Sequence, residues 1–326
     1  MISPLVSICI PTYNRPDYFK KALKSCFNQT FQDFEIVVYD SSTNDKTYKL
    51  VKKINHKQIC YFKNKEKIRG TLNVYKFARG KYIKYLLDDD LLKPDCLEKM
   101  VKAIEDNPSV GVVMAPLDII DAYGRRAYPR FYIVKKMSYL YKYLDRDALV
   151  KKEVILKDFL TRVYPCCVPT GIMYRKECFD KLGGFDQKAD FAVDVEICMR
   201  FATKYDFYYI NKVLSSWRYT KSSHTVSLHA GGFNPKIFYS ISRKYLNNNK
   251  LMASFFGKDK EKVQKDAYLF ASKRLFLNIA TGIKTNNVKL IFRTIKDISK
   301  LDRYFINKLK LPIIIIRDLI KAFFDI

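Results

Sequence analysis

A chain of 326 residues can bury a full core, and its length suits one large domain with an appendage. Hydrophobic residues make up 48% and aromatic residues 15%, which excludes a disordered chain. The net charge of +27 implies an anionic partner: a nucleotide, a phospholipid headgroup, a nucleic acid or an acidic glycan.

The N-terminal stretch Leu5–Ile10 reads as a buried strand, and Pro11–Pro16 as the loop at its C-terminal end. Asp17 is placed to cap a helix running to Asn28, with Phe19, Leu23 and Phe27 on one face. Glu35–Tyr39 is the next strand, and Thr43 or Asp45 can cap a helix over Lys46–Ile54. Ile59–Phe62 is a third strand, Lys63–Gly70 a polar loop and Thr71–Ala78 a helix. The strand Tyr82–Leu87 then ends abruptly in Asp88, Asp89 and Asp90, and Lys93-Pro94-Asp95 opens the helix Cys96–Asn107. Strands alternating with helices imply βαβ units and a parallel sheet. In such a sheet the strand ends bearing Thr12, Asn14, Arg15, Asp40 and the acidic triplet lie on one edge, where open α/β sheets bind ligands. Three adjacent carboxylates repel one another and persist most easily around a hard cation such as Mg²⁺ or Mn²⁺; the plain alternative is a solvated acidic turn. No G-x-G-x-x-G or P-loop pattern is present.

Eight cysteines, Cys9, Cys26, Cys60, Cys96, Cys166, Cys167, Cys178 and Cys198, form no CxxC pair and read as small buried hydrophobes of a reducing compartment. Three histidines exclude a His-rich metal site. The start lacks the basic n-region of a signal peptide, and no apolar run reaches the roughly 20 residues of a spanning helix. A cytoplasmic location is expected.

Taken together, Pro11-Thr12-Tyr13-Asn14-Arg15, Glu35–Thr47 and Ala78–Asp95 resemble the inverting family-2 glycosyltransferases. That resemblance implies a GT-A fold: a Rossmann-like α/β domain with a mostly parallel central sheet flanked by helices, here with a mainly helical C-terminal extension. It places the catalytic domain at 1–233, its nucleotide half at about 1–115 and its acceptor half at about 116–233, and the extension at 234–326. It also implies residue roles. Pro11, Thr12, Tyr13 and Arg15 would flank the nucleotide base and diphosphate, Asp40 would hydrogen-bond the base, usually uracil, and Arg69 would lie near base or diphosphate. Counting back from Pro94, Leu87 stands where the family's D-x-D motif has its initial Asp, so Asp89 is the metal ligand, with Asp90, and Asp88 the ribose or indirect partner. The implied cofactor is Mg²⁺ or Mn²⁺.

Further on, Val110–Ala115 is a strand, Asp118–Arg130 a hairpin or loop around Tyr123-Gly124, and Met137–Val163 a polar, aromatic stretch with helical parts, either acceptor-binding or a covering subdomain. Val168–Arg175 reads as a strand and Glu177–Leu182 as a short helix. Gly183–Asp186 and Phe191–Ala202 match the family's G-G-F-D and the helix after it, which sets Asp194 on the catalytic carboxylate; Val193 replaces the preceding Glu. Asp194 can also serve as a helix N-cap. Phe207–Ile210 and Val213-Leu214 finish the sheet. Arg218 matches the Arg of the family's R-x-H and would clamp the diphosphate with its planar fork. Thr220 replaces that His, and His224 further on is either a metal ligand or an ordinary loop residue. The Q-x-x-R-W of processive synthases is missing, which favours single-sugar addition.

In the tail, Lys236–Asn247, Gln264–Ile283 and Val288–Ile326 read as helices. The end, with Ile, Leu and Phe set against Lys and Arg, is either an anchor on the inner, anionic membrane surface or a packed cap or homo-oligomer contact. The expected activity is hexosyltransferase-type: one sugar moved from a UDP-sugar donor to a hydroxyl of a cell-surface glycan or lipid-linked saccharide acceptor such as bacterial capsule, lipopolysaccharide or teichoic acid. Two other classes compete. A nucleotidyltransferase would need a Gly-rich phosphate loop that Pro11–Pro16 does not supply. A nucleic-acid-binding protein would rest on charge alone, which gives only nonspecific affinity that fades with salt, so no specific nucleic acid is expected.

Overall fold

A computed structural model of the chain describes residues 3–64, 72–128, 145–161, 168–220, 235–284, 287, 288 and 291. They divide into two compact units: residues 1–156 with 164–220, and residues 157–163 with 221–326. Arg69 and His224, residues 137–144 and 162–163 of the expected Met137–Val163 excursion and nearly all of the expected Val288–Ile326 helix lie outside the described residues.

The larger unit begins with β1 (Val6–Thr12), every residue of which is buried, so its apolar run needs no alternation. The chain returns through α1 (Pro16–Phe27) to β2 (Phe34–Asp40), then through α2 (Lys46–Ile54) to β3 (Ile59–Lys63). Asp17 does not cap α1. The N-cap is Arg15, and Pro16 takes the opening position, where its fixed φ suits a helix and its missing N–H costs nothing. The expected helix Thr71–Ala78 is a 3-10 helix over Leu72–Phe77. It leads to β4 (Tyr82–Tyr85), the acidic triplet, a two-residue strand β5 (Leu91–Leu92) and α3 (Cys96–Glu105). Then come β6 (Val110–Met114), the hairpin β7 (Leu117–Ile120) and β8 (Arg126–Tyr128), β9 (Ala148–Val150) and α4 (Lys152–Thr161). A 3-10 turn at Pro169–Gly171 precedes β10 (Ile172–Arg175) and α5 (Lys176–Lys181). Another, Gln187–Ala192, precedes α6 (Val193–Phe201), and β11 (Asp206–Tyr209) and β12 (Ser215–Arg218) close the unit.

The main sheet runs β3-β2-β1-β4-β10-β6-β11-β9. Strands β3, β2, β1 and β4 are mutually parallel, β10 is antiparallel to both its neighbours, β11 is parallel to β6 and β9 antiparallel to β11. The C-terminal ends of β1, β2 and β4 therefore share an edge, as the βαβ rhythm requires. A smaller sheet, β5-β12-β7-β8, stands beside it. One core unites Val6, Ile8 and Ile10 of β1 with Phe19 and Leu23 of α1 and with Leu97, Met100 and Ile104 of α3.

Gly183 and Gly184 follow α5 with φ of +82° and +68°. The Arg200 guanidinium, ion-paired with Glu196, also donates to the carbonyls of Leu182 and Gly184 and so fixes this turn. A Cβ on Gly184 would overlap the Tyr75 hydroxyl. Gly184→Ala is expected to lower stability by about 1–3 kcal/mol, the ordinary cost of a left-handed side chain, before any steric term. A thermal melt checks this; an unchanged melt would refute it.

The second unit contains α7 (Pro235–Leu246), α8 (Asn249–Phe256) and α9 (Lys260–Lys284). The sequence did not reveal α8, which Asn248 caps through Leu251 N–H at 3.0 Å. Ile241, Tyr245, Met252, Val263 and Ala267 are buried. No helix among the described residues is long and apolar enough to cross a membrane.

Candidate active site at the C-terminal strand edge

The site starts from the end of β1. Thr12 Oγ1 donates to Asp88 Oδ2 at 3.0 Å, and Tyr13 N–H to the same oxygen at 3.2 Å. Pro11 lies within the buried strand. Arg15 Nη1 stands 2.6 Å from Asp89 Oδ2 and 3.6 Å from Asp88 Oδ1, so two carboxylates converge on one cationic nitrogen. Asn14 adopts φ 55°, a conformation Asn tolerates better than most residues. Its N–H donates to Ser42 Oγ at 2.8 Å, and its Oδ1 accepts from Thr43 N–H and Asn44 Nδ2, each at 3.0 Å. That clamp joins the loop after β1 to the loop after β2.

Asp40, at the end of β2, is fully buried. Its Oδ1 accepts from Ser42 N–H at 2.8 Å, and its Oδ2 from Tyr61 hydroxyl at 2.6 Å and Lys63 Nζ at 3.4 Å. Burial and this carboxylate hold the Tyr61 phenol protonated. Asp40 thus shapes the loop above it in the structure described.

The three acids of the triplet have separate surroundings. Asp90 is fully buried; its Oδ1 accepts from Arg218 N–H at 2.8 Å and its Oδ2 from Thr170 Oγ1 at 2.5 Å. Burial, then the charge of Asp89, pushes its pKa well above the carboxylate range. Asp88 is raised to about 6, by burial and then by Asp89, against the lowering effects of Arg15, Tyr13 N–H and Thr12. Asp89 is raised by burial and held down by Arg15. Beneath them lies Lys84, fully buried in β4, donating to the carbonyls of Thr170, Ile172 and Tyr85. Its burial favours the neutral amine, and Asp90 opposes that.

Arg218 is 1% exposed. Its Nε donates to the Asp89 carbonyl at 2.6 Å, its Nη1 to the carbonyls of Asp121 at 2.7 Å and Ala122 at 3.2 Å, and its guanidinium lies 5.0 Å from the Tyr18 ring centre. It ties the acidic loop to the β7–β8 turn. Its buried Nη2 has no hydrogen-bond partner among the described residues.

Asp194 is not the N-cap of α6; Ala192 is. Asp194 sits in the opening turn, half-buried, its Oδ1 accepting from Val195 N–H at 2.8 Å. Burial raises its pKa to about 7. Among the described residues it shares no hydrogen bond with the acidic loop. The structure therefore gathers Thr12, Tyr13, Arg15, Asp88, Asp89, Asp90 and Arg218 in one network, joins Asp40 to it through Ser42 and Asn14, and leaves Asp194 outside it, on α6. The sequence placed Asn14 on this edge without giving it a role, and it did not point to Lys84 or Thr170 as parts of the network. A lysine inside an apolar strand was the available signal for Lys84; Thr170 had none, since its partner lies 80 positions away.

For a divalent ion, the convergent pair Asp88 and Asp89 fits in donor chemistry, with a nucleotide diphosphate completing the oxygen set. No group of three or more His, Cys, Asp or Glu side chains among the described residues is arranged to hold a metal. Asp90 spends both oxygens on protein donors.

Comparison with known proteins bears on what this edge is for. The model of glycosyl transferase family 2 matches residues 7–183. An uncharacterized glycosyltransferase of Methanocaldococcus jannaschii is 31% identical over 226 residues, 67% of this chain and 72% of its own. A chondroitin synthase of Escherichia coli is 26% identical over 214 residues, of which the chain spans only 28% of its length. Among solved structures, S. aureus TarS in complex with UDP-GlcNAc superposes with a TM-score of 0.63 at 17% identity, covering 89% of this chain and 79% of that one. The mannosyltransferase PcManGT from Pyrobaculum calidifontis, in complex with GDP-Man and Mn²⁺, superposes with a TM-score of 0.50 at 16% identity, covering 100% of this chain and 88% of that one. The mostly parallel sheet flanked by helices, the acidic loop on its edge and the match over residues 7–183 agree: the chain belongs to glycosyl transferase family 2 and is a glycosyltransferase of GT-A-type fold.

Proposed function

We propose that the protein transfers one sugar, with inversion, from a nucleotide-sugar to a hydroxyl of a cell-surface glycan or lipid-linked saccharide, with Mg²⁺ or Mn²⁺ as cofactor. The observation that carries this reading is the convergence of Asp88 and Asp89 on a single cationic nitrogen at the ends of β1 and β4. UDP-sugars are the leading donors, in keeping with the UDP-GlcNAc complex of TarS. The Mn²⁺ complex of PcManGT supports the cofactor.

In this reading Asp89, with Asp88 beside it, holds the divalent ion, and Asp90 anchors the loop. When bound, that ion neutralises charge gathering on the departing diphosphate. Thr12 and Tyr13 orient Asp88, and Arg15 pairs with diphosphate. Asp40 and the loops it shapes form the wall for the base. Arg218 holds the acidic loop in register from behind. Asp194 takes the proton from the acceptor hydroxyl. That oxygen forms a bond to the anomeric carbon as the bond to the nucleoside diphosphate breaks on the opposite face. The basic, apolar segment ending at Ile326 would rest on an anionic membrane surface.

Incubating the protein with Mn²⁺ and a panel of UDP-, GDP- and dTDP-sugars tests the reading. Slow release of one nucleoside diphosphate from one donor is expected. Failure to bind or turn over any of them would overturn it.

A further inference from the structure

The two carboxylates assigned to a divalent ion already hold a cation. Arg15 Nη1 lies within 2.6 Å of Asp89 and 3.6 Å of Asp88. Their side chains are 12% and 10% exposed, so little water is at hand to screen a second cation beside the guanidinium. A further cation, Arg218, stands buried against the same loop and donates to the Asp89 carbonyl. The triplet is thus close to neutral before any metal arrives.

Arg15 itself is placed to move. It precedes α1 with φ −129° and ψ 53°, outside helical geometry, and its side chain is 25% exposed.

We propose that Arg15 is a resident counter-cation of the acidic loop, which must release Asp88 and Asp89 before a divalent ion can take them. The nucleoside diphosphate gives the released guanidinium a second anion, which its planar fork suits. Arg15 then couples the two ligands: metal binds well only with nucleotide, and nucleotide only with metal. Such coupling is reciprocal. The inference rests on the metal reading above and adds to it an order of events, and a residue that enforces it.

Calorimetric titrations of Mn²⁺ alone, and of UDP, GDP or dTDP with Mn²⁺, into wild type, Arg15→Met and Arg15→Lys test this. Wild type is expected to bind Mn²⁺ alone weakly and a nucleotide with Mn²⁺ well. Arg15→Met is expected to bind Mn²⁺ alone about tenfold tighter or more, within the usual range of coupling between two ligands, and to bind nucleotide less tightly. Arg15→Lys keeps the charge without the fork and is expected to fall between the two. Wild type with metal-dependent nucleotide binding, but both variants unchanged toward Mn²⁺ alone, would overturn the exchange and spare the metal reading. Nucleotide binding indifferent to Mn²⁺ in wild type would overturn both.

Discussion

Replacing Asp194 with Asn is expected to lower kcat by about 10²- to 10⁴-fold, the usual contribution of a positioned general base, with UDP binding unchanged. Asn keeps the size of the side chain and can still accept the Val195 N–H bond, so α6 should start as before. What it loses is the ability to take a proton. The pH profile follows from the burial that lifts the Asp194 pKa to about 7. A base works only when ionised, so kcat/KM is expected to fall about tenfold per pH unit below that value and to level off above it. The sign for stability is opposite. A carboxylic acid whose folded pKa lies above the unfolded value of about 3.9 binds more protons folded than unfolded. Its contribution to stability therefore declines as pH rises from about 4 to about 7, and the Asn variant should lack that decline. Steady-state rates and thermal melts across pH check both halves. A variant that still transfers sugar at the wild-type rate would take the base role from Asp194.

Replacing Asp89 with Asn is the second large effect. Metal-dependent UDP binding is expected to weaken by at least about 10- to 100-fold, the loss seen even for groups one step removed from a metal. An amide cannot bring the negative charge that a hard divalent ion needs. The main chain of residue 89 still accepts from Arg218, so the loop keeps its tie to the β7–β8 turn. Titrating UDP with Mn²⁺ into the variant checks this, and binding equal to wild type would remove Asp89 from the ligand set.

Much of the edge was readable from the chain alone. Strand-terminal acids at Asp40 and Asp88–Asp90 stood out because charged residues directly after buried strands are costly, and the βαβ rhythm put those ends together. What escaped depended on contacts far along the sequence. The run Val168–Arg175 carries no mark of direction, so the antiparallel placement of β10 between β4 and β6 was hidden. Leu91-Leu92 is too short for a strand pattern, and its pairing with Ser215 and Ser216 decides it. Asp17 looked like a cap because its side chain suits one, but Pro16 had already fixed the opening of α1. The motif suggested Arg218 as a clamp for diphosphate, but its guanidinium is engaged by the carbonyls of Asp89, Asp121 and Ala122, partners no spacing rule reveals. The same holds for Asp40, whose two oxygens are engaged by Ser42, Tyr61 and Lys63.

The central claim is that the edge formed by β1 and β4 binds a nucleoside diphosphate through a divalent ion at Asp88 and Asp89. Its most direct test is a calorimetric titration of UDP into the wild-type protein with Mn²⁺ and again with a chelator. The account predicts a saturable isotherm with Mn²⁺ that collapses when the ion is withdrawn. An isotherm identical under both conditions would contradict it.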